Sequence, residues 1–129
     1  MRVELVSPER ILYSGEAEMV IARTVGGGDI AFLPGHAPFV GALEIATATV
    51  RTGEGDQVVA IHGGFVEVSE DTVTILSDVA ELAEEIDVGR AERARQVAER
   101  EHQTHDGEAA AALQRAHVRL NAVGGARGS

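Results

Sequence analysis

The sequence predicts a β + α protein: an N-terminal antiparallel β-sandwich or barrel followed by a C-terminal antiparallel two-helix hairpin. Three observations carry this expectation. As far as Leu76, apolar and polar residues alternate with the period of half-buried strands, in short runs separated by turn residues. Beyond Asp87, β-branched residues and glycines give way to Ala, Glu, Arg and Gln, with apolar positions at steps of three and four. The charge divides at the same place: residues 1–87 carry four Arg against sixteen carboxylates, and residues 88–129 carry seven Arg against five.

The strands follow in order. "RVELVS" sets Val3 and Leu5 against Arg2 and Glu4, and "EMVIARTV" repeats the alternation before a Gly26-Gly27-Gly28 turn, after which comes "DIAFL". "IATATVRT" stops at the turn "GEGD", "QVVAIH" at Gly63-Gly64, and "FVEVS" at Glu70-Asp71; "TVTILS" closes the series. Short strands at regular spacing favour a sandwich or barrel over βαβ units. Strand pairing is not readable from spacing.

Asp87 is placed to cap a first helix, "VGRAERARQVAER", its carboxylate accepting backbone N–H groups that have no intrahelical partner. Val88, Ala91, Ala94 (or Arg95), Val97 and Ala98 form its thin apolar stripe. After the polar break "HQTHDG", Asp106 is the second candidate cap. Ala109, Leu113, Ala116, Leu120 and Val123 mark the second helix, which Gly124-Gly125 is expected to end. Few large side chains lie on either stripe, so burial holds the hairpin weakly. The predicted division is a sandwich over 1–86 and a hairpin with a short flexible end over 87–129.

Composition excludes several functions. There is no Cys, hence no disulfide framework and no thiolate metal cage, and the net charge of −10 opposes binding nucleic acid through phosphates. No apolar stretch approaches the roughly 18 residues that span a bilayer, and no basic start with an apolar run is visible, so cytosolic folding is expected. His36, in "FLPGHAPFVGAL", has no nucleophile or carboxylate near it in sequence, so a ring that packs within a Pro-braced loop outweighs a catalytic one. His102 and His105 have metal-ligand spacing but fall in a polar inter-helix loop. The Gly26–Gly28 run precedes a strand rather than a helix, which leaves no helix N-terminus to hold a phosphate. Arg115 and Arg119, four apart on the second helix, converge with Arg90 if the helices fold back on each other. Such a cluster suits a phosphate or an acidic patch, with surface pairing to Glu92, Glu99 and Glu108 as the simpler use.

The order of motifs adds to this reading. "FLPGHAPFVGAL", then "GGFVEV", then "VTIL…AELAEEID" and an Ala/Arg-rich helical pair resembles the epsilon subunit of F-type ATP synthases over nearly the whole chain. The resemblance implies about ten strands in the sandwich and a non-catalytic rotor subunit of the central stalk. Its implied partners are the gamma subunit, the c-subunit ring and, with the hairpin extended, the alpha/beta catalytic head, where it inhibits ATP hydrolysis. It implies no nucleic acid, no required cofactor, and a peripheral place on the cytoplasmic face of the bacterial membrane through the complex alone. By the same resemblance Pro34, His36, Ala37 and Pro38 belong to the foot on the c ring, and Arg93, Arg95 and Arg100 to contacts with the head. Some members bind a regulatory ATP through Ile/Leu-Asp-x-x-Arg-Ala. Here Ile86, Asp87, Arg90 and Ala91 match it, with Glu81 upstream and Arg115 and Arg119 on the second helix. Two departures weaken such a site: a basic position falls on Val97, and Gly89 in the first helical turn costs up to about 1 kcal/mol relative to Ala. The competing expectation is a free-standing β-sandwich ligand-binding module that oligomerises through its helical hairpin.

Overall fold

In a computed structural model the described residues are 1–102 and 107–127, with side chains described for 1–100 and 110–124. Among the described residues eight strands form one hydrogen-bonded sheet. They are β1 (Arg2–Ser7), β2 (Arg10–Glu16), β3 (Met19–Thr24), β4 (Gly28–Phe32), β5 (Phe39–Thr52), β6 (Gly55–Ser69), β7 (Thr72–Leu76) and β8 (Ala80–Leu82). A single 3-10 turn, Ala83–Glu85, leads to α1 (Val88–His102) and α2 (Gly107–Arg127). The strand order is β2-β1-β7-β6-β5-β3-β4, with β8 paired to β6.

Two strands of 14 and 15 residues, β5 and β6, make this one sheet into two layers. Both are more than twice the usual strand length, so they run through both layers. Val3, Leu5 and Ile75, from one end of the strand order, share a buried cluster with Val20, Ala22 and Phe32 from the other end, as a sheet folded over on itself requires. The burial of β6 changes along its length. Val66 and Val68 are buried in alternation, whereas Val58, Val59, Ala60 and Ile61 are buried consecutively. Val59 and Ile61 enter the interlayer core; Val58 and Ala60 point the other way, into a second cluster with Ala83, Ile86, Val118, Ala122 and Val123. The run "VVAI" is thus covered on both faces and reads as continuous apolar sequence.

Several expectations are corrected. Among the described residues the sandwich has eight strands rather than about ten. It is not wholly antiparallel, because β1 lies parallel to β7 in the register Val3↔Val73. "QVVAIH" and "FVEVS" are one strand: Gly63 and Gly64, at φ +84° and +137°, carry β6 through instead of ending it. At Gly64 a Cβ would lie 2.2 Å from the Leu76 carbonyl oxygen, so the glycine permits a close approach of backbones. β5 begins at Phe39, earlier than the alternation from Ile45 suggests, and β2 and β8 carry no clear periodic signal. α2 continues through Gly124-Gly125 to Arg127 instead of ending there, which makes it about 31 Å long.

In the hairpin, Asp87 caps α1 as expected, its Oδ1 accepting the Arg90 N–H at 3.0 Å. The α1 stripe resolves onto Ala91 and Ala98, both buried, with Val88 and Arg95 half-buried, while Ala94 and Val97 are exposed. On α2 the buried positions are Ala116, Val118, Ala122 and Val123, with Leu113 and Leu120 half-buried. Asp106 and His105 lie outside the described residues, as do the side chains of His102, Glu108 and Ala109 and the chain end at 128–129. α2 is the helix that packs on β5 and β6; α1 packs chiefly on α2.

Replacing Gly64 by Ala is expected to cost about 3 kcal/mol or more, since backbone must move and φ is left-handed. Gly26→Ala, at φ +79° with open space around it, should cost only about 1–2 kcal/mol. Urea unfolding of both variants against the parent checks the contrast.

Candidate functional site

The sandwich and hairpin meet at a cleft of about 380 Å³, lined chiefly by Glu81, Ile86, Asp87, Arg90 and Arg119. Each reaches it for a local reason. Glu81 is carried by the short strand β8, antiparallel to β6 with Glu81 opposite Ala60. Ile86 is buried where the chain leaves the 3-10 turn, and this fixes Asp87 at the start of α1. Arg90 follows one turn on, and Arg119 arrives from α2.

The Glu81 carboxylate is the junction. Its Oε1 accepts a hydrogen bond from Arg119 Nε at 2.6 Å and lies 3.0 Å from His62 Nε2. His62 is on the same face of β6 as Val58 and Ala60, four and two residues away, and its side chain is only 3% exposed. Burial first, then the Arg119 charge, pushes His62 below its ordinary value, against the opposing hydrogen bond and charge of Glu81; Arg115 adds to the depression. Sequence reasoning missed His62, although its phase with Val58 and Ala60 on a doubly buried strand was a usable signal.

The expected nucleotide set is brought together in large part. Glu81, Ile86, Asp87, Arg90, Ala91 and Arg119 share the cleft, while Arg115 acts electrostatically on His62. The expected pairing of Arg119 with a helix carboxylate is replaced by its bond to Glu81, and Glu92 and Glu99 instead both hold Arg95. Of the residues expected at the catalytic head, Arg93 and Arg100 are exposed and Arg95 is folded along its own helix. A second ion pair secures the approach to α1: Arg10 Nη1 and Nη2 bind the two Glu85 oxygens at 2.8 and 2.7 Å. This bond holds the Glu85 carboxyl below its usual range.

The Pro34–Pro38 loop is braced from within. His36 Nδ1 lies 2.7 Å from the Ala37 carbonyl oxygen, and its ring stands edge-on to Phe32 at 5.1 Å. Gly35 N–H donates to Asp71 Oδ1 at 2.9 Å, tying the loop to the β6–β7 turn. Leu33, Pro34, Ala37 and Pro38 remain exposed. Among the described residues no group of three or more His, Asp or Glu is placed to hold a metal, and no helix is long and apolar enough to cross a membrane.

A second surface escaped the sequence reading. Ala42, Phe65, Leu76, Val6 and Ile11 stand directly opposite one another across β5, β6, β7, β1 and β2. Phe65, Leu76 and Ile11 are 61%, 53% and 63% exposed. At roughly 4.8 Å between strands the row runs about 19 Å across the outer face. Its trace in the sequence is an apolar residue out of phase: Val6 after Leu5, Phe65 before Val66, Leu76 after Ile75.

A sheet folded into a sandwich, with an apolar outer row, a braced loop and a small-residue helical arm, defines a β-sandwich protein with a C-terminal helical hairpin. A family profile described as ATP synthase, Delta/Epsilon chain, beta-sandwich domain matches residues 1–83. The ATP synthase epsilon chain of Streptomyces griseus is 48% identical over 124 residues, 95% of this chain and 94% of its own. That of Brevibacillus brevis is 52% identical over 102 residues, covering 78% and 76%. Among solved structures, a chain in the Euglena gracilis mitochondrial ATP synthase (OSCP, F1 and c-ring, rotational state 1) aligns with a TM-score of 0.71. It is 25% identical, over 92% of this chain and 73% of its own. The chain belongs to the ATP synthase epsilon-chain family.

Removing the α1 cap by Asp87→Ala is expected to weaken the hairpin by about 1 kcal/mol, with Asp87→Asn nearly neutral because Asn caps equally well. Hydrogen exchange at the α1 amides, compared with β1 and β7, reads the difference and its confinement to the arm.

Proposed function

We propose that this chain works in the central stalk of an F-type ATP synthase, with its sandwich as a rigid coupling piece between the gamma subunit and the c ring. Its hairpin is a brake on ATP hydrolysis. The observation that carries the brake is how the hairpin is held. α2 meets the sheet through Val118, Ala122 and Val123, together with the Glu81–Arg119 bond, and α1 rides chiefly on α2. α2 sets two buried Val, at about 1.5–3 kcal/mol each, and the Ala122 methyl, at about 0.8, on the sheet, a smaller contact than the interlayer core beneath it. The arm leaves at the 3-10 turn, carrying Arg93 and Arg100 exposed on α1 beside Ala94 and Val97. Released, that face is cationic and apolar, suited to acidic segments of the alpha/beta head.

The apolar row from Ala42 to Ile11 supports gamma as the partner of the outer face, because an exposed row of this kind is costly unless covered. The Pro34–Pro38 loop is suited to the c-ring foot. Two prolines and the Asp71 tether lower the ordering cost of docking. Attachment to the cytoplasmic face of the membrane is then through the complex alone.

A second use of the cleft, binding a regulatory ATP, is favoured by the grouping of Glu81, Asp87, Arg90 and Arg119. The carboxylates suit the N–H and O–H groups of a nucleoside, and the guanidiniums suit its phosphates. The fit requires Arg119 to leave Glu81. Ligand at 100 times its Kd would favour the docked arm by about 2.7 kcal/mol, provided the released arm does not bind it.

Deleting residues 88–129 is expected to raise ATP hydrolysis by the assembled enzyme while leaving assembly intact; unchanged hydrolysis argues against the brake. Phe65→Asp should reduce co-purification with gamma by tenfold or more without changing the melting of the isolated chain, about 1.4 kcal/mol or more at a buried contact. Titration with ATP, following amide shifts at Asp87, Arg90 and Arg115, tests the second use. Silence at millimolar ATP removes it.

A further inference from the structure

We propose that His62, Glu81 and Arg119 form a proton-sensitive latch, in which neutral His62 lets Glu81 tie β6 and β8 to α2 and protonation of His62 releases the helix. The inference rests on the reading of the hairpin as a releasable arm and supplies a signal that would control it.

The geometry starts with one shared acceptor. Glu81 Oε1 receives Arg119 Nε at 2.6 Å and stands 3.0 Å from His62 Nε2. In the neutral ring the Nε2–H donates to the carboxylate and Nδ1 is a bare acceptor. Nδ1 is buried and has no hydrogen-bond partner among the described residues. A second proton must therefore go to a buried nitrogen with no protein acceptor, which is costly. The new charge also stands beside two like charges. The charged groups facing the ring are Glu81 from β8 and Arg119 and Arg115 from α2. From β5 the residue opposite is Ile45, without charge. Asp87 and Arg90, at the start of α1, stand across the cleft from Glu81 and Arg119.

Releasing α2 removes both guanidiniums and leaves His62 with Glu81, an arrangement that welcomes the proton. The docked ring, depressed by burial and by Arg119, therefore binds fewer protons than the released one. The sign follows. Docking reaches full strength about one unit above the ordinary imidazole value of about 6.5 and weakens as the pH falls through that value, by up to tenfold per pH unit. The weakening levels off once the docked ring itself titrates.

The chain contains no cysteine, so Glu54→Cys in the β5–β6 turn and Asn121→Cys on α2 give a unique label pair on the full-length protein. The expected result is a docked fraction that falls between about pH 7.5 and 5.5 in the labelled parent and is flat in His62→Gln, which keeps an N–H donor for Glu81. Should His62→Gln fold poorly, the ring resonance of His62 provides a second reading. Its titration midpoint must lie below the ordinary value in the parent and rise in Arg119→Gln. A constant label distance through pH 5.5, an equal response in His62→Gln, or a midpoint that Arg119→Gln leaves unmoved each overturns the latch. Glu81→Gln separates the failures. Release in that variant with no acid response in the parent removes the latch alone, and no release in any variant at any pH removes the releasable arm as well.

Discussion

The structure depends on burying both faces of one strand. Val59 and Ile61 of β6 close the interlayer core, and Val58, Ala60 and His62 on the opposite face receive α2. The strand is thus both an interior wall of the sandwich and the seat of the hairpin. Sandwich strands ordinarily leave one face to water. Here the outer face changes role along a single strand, from helix seat at Ala60 to the exposed Phe65 five residues later. Gly63 and Gly64 lie at the changeover, where the backbone takes a left-handed path and approaches Leu76 closely. One strand therefore separates a surface that holds the chain's own arm from an apolar surface exposed to solvent.

Much of the fold was legible because period-two alternation is a strong signal wherever one face is wet. β1, β3 and β7 showed it directly. The failures have physical causes. Gly63-Gly64 resembled a turn because glycine permits one, yet the same freedom allows a long strand to continue through a close approach. β2, exposed or half-buried along its whole length, has little periodicity to read. The parallel pairing of β1 with β7 joins residues about seventy apart in the chain, and no local pattern specifies it. Gly124-Gly125 predicted a helix end, but the α2 backbone runs through it, at the usual cost of glycine in a helix.

The cleft was legible through its motif and only partly through its chemistry. Asp87 as a cap and Arg90 one turn on followed from helical geometry. That Arg119 would meet Glu81 was not deducible, because it depends on which face of α2 sits on β6. Arg95, expected at the catalytic head, lies within reach of Glu92 and Glu99 at the three- and four-residue spacings and is held by both in this structure. The exposed apolar row was present in the sequence as broken alternation. Its meaning appears only when the register lines up Ala42, Phe65, Leu76, Val6 and Ile11.

The parallel seam between β1 and β7 also bears on how the molecule is made. As the chain emerges during synthesis, β1 has β2 on one side and nothing on the other until Thr72–Leu76 has been translated. Val3 and Leu5, both fully buried at the end, wait through most of that time without their native neighbours. Closure of the body is a late, long-range event, and the surface that receives α2 takes shape just before the residues of that helix leave the ribosome. The arm therefore meets a finished seat, and the packing beneath it is complete before the arm is laid on it.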